Sequence, residues 1–171
     1  MDRVLDRTQD VIREGRDRIQ ALRDPEAGTT DLPDFLRRHS QEMAAEQGML
    51  CDFDLPFSVR PLQPIVYEEL RQIGREAITN ACLHSQGKRI DVKLEYCDFG
   101  VLLTVQDDGV GIAEEKLKVD RHWGISGMRE RTTMIGGSLV VATRPTGGSE
   151  IKVLIRAEVA YPKLANQETR L

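Results

Sequence analysis

Three polar side chains recur at intervals of four in the mid-chain segment REAITNACLHS, residues 75–85. Residues four apart lie on one face of a helix, so Glu76, Asn80 and His84 would form a polar stripe. Carboxylate and amide oxygens are hard donors that suit Mg²⁺ and its bound waters, and magnesium usually arrives with phosphates. Because a solvated helix face produces the same spacing by chance, the stripe predicts a metal site only together with other motifs.

A second motif, Asp107-Asp108-Gly109-Val110-Gly111, follows the apolar run VLLTVQ. Glycines allow positive φ angles and let a ligand approach the backbone closely. An ionised carboxylate only accepts hydrogen bonds, so a buried Asp107 would select the exocyclic amine of adenine over the carbonyl of guanine. An ordinary turn or a calcium-binding loop also fits this motif, although the remaining ligands of an EF-hand are missing.

Two further glycine segments complete the set. Residues 124–127, Gly-Ile-Ser-Gly, open a predicted helix, where free N–H groups bind phosphate. Residues 147–149, Gly-Gly-Ser, are typical of a hairpin turn and offer a hydroxyl to a base pocket. Each segment alone is equally consistent with a capping turn or a simple hairpin. The sequence contains no GxxxxGK motif followed by Ser or Thr, which excludes a P-loop enzyme.

Apolar periodicity shows which elements position these motifs. Pro64 is placed to open a helix that runs to about Ser85 with one apolar stripe. Residues 89–96 and 101–106 alternate like two paired strands, and residues 138–144 and 149–156 form a hairpin. A helix after Asp31, an edge strand at residues 49–55 and a helix opening at residue 124 complete the prediction. The order of elements predicts a mixed sheet with helices on one face, and not a doubly wound sheet.

The two ends of the chain differ from this core. Residues 2–23 carry a heptad seam in which Leu5, Ile12 and Ile19 recur every seven positions. Such a helix needs a partner helix, although packing on its own domain is the alternative. We therefore expect a long N-terminal helix over residues 1–24, a linker over 25–30, a domain over 31–157, and a tail without periodicity over 158–171.

Composition narrows the class of protein. The 171 residues carry a net charge of −4, which disfavours a general nucleic-acid binder. The three cysteines are far apart without zinc-ligand spacing, which favours a reducing compartment. No apolar run reaches the roughly 18 residues of a membrane span.

Taken in order, these motifs resemble the ATP-binding catalytic domain of a two-component sensor histidine kinase, a member of the GHKL or Bergerat-fold superfamily. The residues that carry the resemblance are REAITNACLHS (the N box), DDGVGI (G1), HWGISGMRERTTMIGGSL (G2) and TGGSEIKV, within about residues 30–156. The GMRER run, and the 12 residues between Gly111 and Gly124, resemble the nitrate-sensor-like branch with its short ATP lid. The resemblance implies an α/β (α+β) two-layer sandwich, with Mg²⁺ and ATP as cofactors.

The resemblance also implies roles for individual residues. Asn80 would coordinate Mg²⁺, and Glu76 would hold a metal-bound water or assist proton transfer. Asp107 would read adenine. The remaining residues assigned to nucleotide binding are His84 near the phosphates, Gly109, Gly111 and Ile112 at the base pocket, His122 in the lid, Gly124, Ile125, Gly127 and Met128 at the phosphate end, and Ser149, where the family often has Thr.

Two features depart from the family. Leu83 stands where the family often has Lys, and this change removes a phosphate cation. The phosphoacceptor box, a His followed by Asp or Glu on a long helix, is also missing, since His39 is followed by Ser40. The resemblance therefore implies that residues 1–24 are the second helix of a dimerisation hairpin and that the acceptor histidine lies outside this chain.

The implied function is donation of the ATP γ-phosphoryl group to a histidine of the dimerisation domain, and from there to a response regulator. The implied setting is a homodimer in the cytoplasmic part of a membrane-bound sensor. Two alternatives stay open: a serine kinase that inhibits a sigma factor, and a non-catalytic nucleotide-binding or dimerisation module.

Overall fold

The computed structural model describes residues 31–56, 58–112 and 123–162 of the chain. The heptad helix and the linker predicted before residue 31 lie outside the described residues, as does His122 of the predicted lid. The described elements are α1 (Leu32–Gln47), β1 (Leu50–Asp54), α2 (Pro64–His84), β2 (Arg89–Cys97), β3 (Gly100–Asp107), α3 (Trp123–Met134), β4 (Ser138–Thr143), β5 (Ser149–Arg156) and α4 (Ala157–Ala160).

The five strands form one sheet in the order β1-β2-β3-β5-β4. β1 pairs parallel to β2, with Cys51 opposite Ile90, because the chain crosses over through α2 between them. The other three pairs are antiparallel. The prediction of a mixed sheet is confirmed, and β3 and β5 pair with each other inside the sheet.

The helices begin and end where the sequence signals lie. Pro64 occupies the first turn of α2, where its missing N–H is not needed. Gly48 follows α1 with a φ of 64°, a left-handed conformation that glycine adopts without strain. These boundaries place the polar stripe of α2 in its last three turns.

The core lies between the helices and one face of the sheet. The apolar stripe of α2 is buried there, as Val66, Leu70, Ile73 and Ala77 show. The opposite face of the sheet carries polar side chains, among them Lys93, whose Nζ lies 3.2 Å from a carboxylate oxygen of Asp54. The helical layer therefore covers one face of the sheet, as predicted.

The tail predicted over residues 158–171 begins within a short helix, and its residues 163–171 lie outside the described residues. Residues Ala157–Ala160 form a short helix, and Tyr161 after it is buried. The Tyr161 hydroxyl lies 2.7 Å from the Gly100 carbonyl oxygen and 3.0 Å from that of Cys97. The Arg60 guanidinium stacks over its ring, 3.6 Å from the centroid. Four residues are too few to show helical periodicity, which explains why the pattern missed this element.

Every helix in the described part of the chain is too short or too polar to cross a membrane.

Candidate functional site

Asp107 ends β3 and is only 4% exposed. Its Oδ1 accepts hydrogen bonds from the backbone N–H of Gly109, at 2.9 Å, and of Ser149, at 3.2 Å. Within the described residues Oδ2 accepts no such bond, and it is not among the enclosed polar atoms that lack a partner. The carboxylate is therefore fixed through Oδ1, and within the described residues Oδ2 is left without a hydrogen bond.

The hairpin turn between β4 and β5 packs directly on this aspartate. Gly148 has a φ of 82°, and a Cβ built there would overlap the carbonyl oxygen of Asp107. Arg144 Nη1 donates to the same carbonyl oxygen at 2.9 Å, and its backbone N–H donates to the Gly148 carbonyl at 2.9 Å. Only glycine at position 148 lets the turn come this close.

The first glycine loop is tied to the end of α2. A Cβ on Gly109 would overlap the carbonyl oxygen of Ser85, and that oxygen accepts the backbone N–H of Val110 at 2.9 Å. The Asp108 carboxylate accepts the backbone N–H of Lys88 at 2.7 Å and of Arg89 at 2.9 Å. These two bonds lower the pKa of Asp108 below its usual value. The loop therefore keeps a fixed place between α2 and β2.

The second glycine of this loop meets the end of β4. Gly111 has a φ of 79°, and a Cβ built there would overlap the Thr143 side chain. Ile112 exchanges two hydrogen bonds with Thr143 Oγ1, with its N–H at 3.0 Å and its carbonyl at 2.9 Å. Sequence reasoning missed Thr143 and Arg144, because nothing local marks a partner 31 or 37 residues away in the chain.

Two residues of the polar stripe of α2, Glu76 and Asn80, contact the start of α3. Asn80 Nδ2 donates to Glu76 Oε1 at 3.1 Å, so the amide nitrogen is turned to the carboxylate and Asn80 Oδ1 is left as an acceptor. A Cβ on Gly124 would overlap Glu76 Oε1 and lie 3.1 Å from Asn80 Nδ2. The structure thus brings Glu76, Asn80 and Gly124 together, and glycine makes the close approach of α3 possible.

The other predicted residues lie around these groups. His84 is exposed at the last turn of α2, next to Leu83, which is 43% exposed. A Cβ on Gly127 would meet no described atom within 4 Å. Met128 is buried in the core and Ile125 packs against it. The structure gives Met128 and Ile125 a packing role, and their contact with nucleotide stays a prediction.

The oxygen donors on α2 fit a magnesium ion that takes most of its ligands from water and phosphate. The described residues contain no group of three or more His, Cys, Asp or Glu side chains that could enclose a metal. Magnesium typically takes one or two protein oxygens and completes its shell with waters and phosphate oxygens. The Asn80 amide oxygen and the Glu76 carboxylate match that requirement.

A buried thiol lies close enough to Asp107 to feel its charge. Cys82 is buried, and its burial, with Cys51 and Asp107 near it, raises its pKa from 9.0 to about 11. The side chain is therefore a neutral thiol at ordinary pH and adds no charge beside Asp107.

Comparison with known proteins gives a family for this geometry. The family model described as histidine kinase-, DNA gyrase B-, and HSP90-like ATPase matches residues 65–159. The nitrate/nitrite sensor protein NarX of Escherichia coli (strain K12) is 34% identical over 128 residues, which are 74% of this chain and 21% of NarX. The sensor protein VraS of Staphylococcus aureus (strain COL) is 32% identical over 102 residues, 60% of this chain and 27% of VraS. The chain thus spans about a fifth to a quarter of the length of these relatives.

Solved structures share the fold. The histidine kinase domain of the blue-light activated histidine kinase from Erythrobacter litoralis EL346 aligns with a TM-score of 0.62 and 19% identity, covering 75% of this chain and 62% of that one. Full-length ShkA in complex with AMPPNP aligns with a TM-score of 0.63 and 18% identity, covering 80% of this chain and 31% of ShkA. At these identities the likeness establishes the fold.

Proposed function

Because this chain belongs to the family of histidine kinase-, DNA gyrase B- and HSP90-like ATPases, we propose that it is the ATP-binding catalytic domain of a two-component sensor histidine kinase. The domain binds Mg·ATP and donates the γ-phosphoryl group to a histidine of the dimerisation domain. A response regulator then receives the group, and the full protein works as a homodimer with this domain in the cytoplasm.

The observation that carries the proposal is the fixed carboxylate of Asp107. Its Oδ1 is engaged by two backbone N–H groups, so the orientation of Oδ2 is set before any ligand arrives. A carboxylate oxygen in that position accepts the exocyclic amine of adenine and rejects the carbonyl that guanine presents at the same place. This arrangement selects an adenine nucleotide.

The phosphate end of the nucleotide lies, in this proposal, between α2 and the start of α3. The first-turn N–H groups of a helix are unpaired within the helix and attract anions, and α3 begins beside Glu76 and Asn80. Bound Mg²⁺ would supply charge neutralisation for the phosphates. Asn80 Oδ1 and the Glu76 carboxylate are the groups of this chain that would hold the ion and its waters.

The acceptor histidine comes from another segment. His39 lies on α1, where its ring stacks on Phe35 with centroids 5.8 Å apart and its Nε2 lies 3.5 Å from Thr79 Oγ1. These contacts give His39 a packing role between α1 and α2. In the proposed reaction the bond between the γ-phosphorus and the bridging oxygen breaks, ADP leaves, and the phosphorus bonds to an imidazole nitrogen of the dimerisation domain.

Calorimetric titration of the 171-residue chain tests the proposal. We expect Mg·ATP to bind and Mg·GTP to bind far more weakly. Asn80→Ala should weaken the binding measured with Mg²⁺ more than the binding measured with EDTA. No binding of Mg·ATP by folded protein would overturn the proposal and favour a non-catalytic module.

A transfer assay separates the kinase from its alternatives. With γ-labelled ATP the chain alone should carry no acid-labile label, and a separately supplied histidine-containing dimerisation domain should become labelled. Robust label on the isolated chain would contradict the assignment of the acceptor to another segment. Acid-stable label on a serine of a supplied sigma-factor regulator would favour the serine-kinase alternative.

A further inference from the structure

We propose that the ion pair between Glu69 and Arg131 positions α3 so that its first turn stays against Glu76 and Asn80, and that it thereby sets affinity at the phosphate end of the nucleotide site. The inference rests on the proposed nucleotide-binding function. Glu69 and Arg131 are positioning residues in it, because neither lies among the groups assigned to the nucleotide or the metal.

The spacing of residues along α2 and α3 links the ion pair to the contact between Gly124 and Glu76. Glu69 and Glu76 are seven residues apart on α2, and Gly124 and Arg131 are seven residues apart on α3. Seven residues are about two helical turns, so each pair lies on one face, about 10 Å apart along the axis. Arg131 Nη1 lies 3.0 Å from Glu69 Oε2, and Gly124 abuts Glu76. These two contacts therefore lie about two turns apart along both helices.

The carboxylate of the ion pair is largely shielded from water, whereas the guanidinium is not. The Glu69 side chain is 8% exposed, whereas that of Arg131 is 45% exposed. A carboxylate at this depth costs free energy unless a cation or donors satisfy it. Sliding or rotating α3 on α2 would leave Glu69 without its partner, so the pair penalises other registers of the helix.

Apolar packing holds the middle of α3, but it fixes the position of α3 along α2 less sharply than the ion pair does. Met128 and Thr132 are both buried, and the Thr132 hydroxyl donates to the Met128 carbonyl of its own helix at 2.7 Å. Neither side chain makes a directional bond to α2 in these contacts. The bond from Arg131 to Glu69 does, and it stands two turns from the residue that touches the proposed metal ligands.

Arg131→Met tests the proposal, with Arg129→Met as its matched control. Both variants remove one positive charge from α3, but Arg129 is exposed and is not part of the contact with Glu69. Titrations with Mg·ATP and with adenosine separate the phosphate end from the base end. We expect Arg131→Met to weaken Mg·ATP binding about fivefold to tenfold, as loss of a partly exposed pair allows, while adenosine binding stays the same. Arg129→Met should leave both affinities unchanged.

Two further variants keep the test independent of folding. Glu69→Gln retains an acceptor for Arg131 without burying a charge, and it should lower Mg·ATP affinity less than Arg131→Met. The exchange Glu69→Arg with Arg131→Glu should restore affinity towards that of the wild type. Far-UV circular dichroism at the titration temperature shows that each variant is folded.

The proposal is overturned if Arg131→Met and Arg129→Met behave alike, or if Arg131→Met weakens adenosine and Mg·ATP binding equally. Failure of the wild-type chain to bind Mg·ATP at all would instead refute the proposed function. The two failures are therefore distinguishable by the wild-type titration.

Discussion

Replacing Asp107 by asparagine is the sharpest test of base selection, because it changes one atom and keeps the shape. In the wild type Oδ1 accepts two backbone N–H groups, from Gly109 and Ser149. The amide oxygen of the new side chain must take that place, since its NH₂ group would meet two donors. The NH₂ group therefore replaces Oδ2 and presents a donor to the ligand.

The expected losses of ATP affinity and of stability follow from two kinds of hydrogen bond, the bond to the adenine amine and the bonds from the backbone N–H groups. A hydrogen bond to a charged group contributes about 1.5–3 kcal/mol, so losing the bond to the adenine amine should weaken ATP binding roughly 10- to 150-fold. The two backbone bonds survive as neutral bonds, each weaker by about 1 kcal/mol, so the free energy of unfolding should fall by about 2 kcal/mol. That loss leaves a typical domain folded.

Inosine triphosphate is the nucleotide whose affinity relative to ATP should rise in the variant. Hypoxanthine has a carbonyl where adenine has its amine, so the side-chain amide of the Asp107→Asn variant can donate to it. Calorimetric titrations with Mg²⁺ should show that the substitution shifts the affinity ratio of ATP to inosine triphosphate towards the inosine nucleotide. If the folded variant binds ATP as tightly as the wild type, or if the ratio does not change, Asp107 does not read the base.

Three other predictions concern packing and pH. Gly148→Ala should abolish tight ATP binding and lower the thermal midpoint, because the added Cβ overlaps the Asp107 carbonyl oxygen; an unchanged midpoint by differential scanning fluorimetry would contradict the close approach. The raised pKa of Cys82, about 11, means that between the unfolded value of 9.0 and 11 the folded chain binds more protons, so stability should fall as pH rises through this range. Urea unfolding should show a shallower fall for Cys82→Ala, and an identical slope would argue against the shift. Tyr161→Phe should cost about 1–3 kcal/mol by urea unfolding, because the single hydroxyl proton shared by the Gly100 and Cys97 carbonyl oxygens is lost; no change would mean that the hydroxyl adds no stability.

The elements of the fold were largely predictable from local signals. Pro64 and the apolar stripe marked α2 to within a residue, and glycine-rich turns marked the strands of both hairpins. These signals work because helix and strand periodicity are imposed by burial on one side. The short helix Ala157–Ala160 escaped because it is held by contacts of Tyr161 with distant residues, not by its own pattern.

The candidate site was predictable as a set of residues but not as a set of contacts. The motifs named Asp107, and the structure shows its carboxylate buried; its role in reading the base remains a proposal. The same motifs could not show that Arg144 supports it, or that Arg131 bonds to Glu69, 62 residues away in the chain. Such pairs depend on how the helices and turns dock, which no short-range pattern contains.

Two inner strands of the sheet carry residues of the proposed base pocket, because Asp107 is the last residue of β3 and Ser149 is the first residue of β5. Amides of inner strands generally exchange slowly with solvent deuterium, so we expect β3 and β5 to be among the last parts of the domain to open. A nucleotide held there would protect the whole domain, by about 2.7 kcal/mol at a concentration 100 times its Kd. If the proposed function holds, the ATP concentration would therefore also affect how long this domain stays folded.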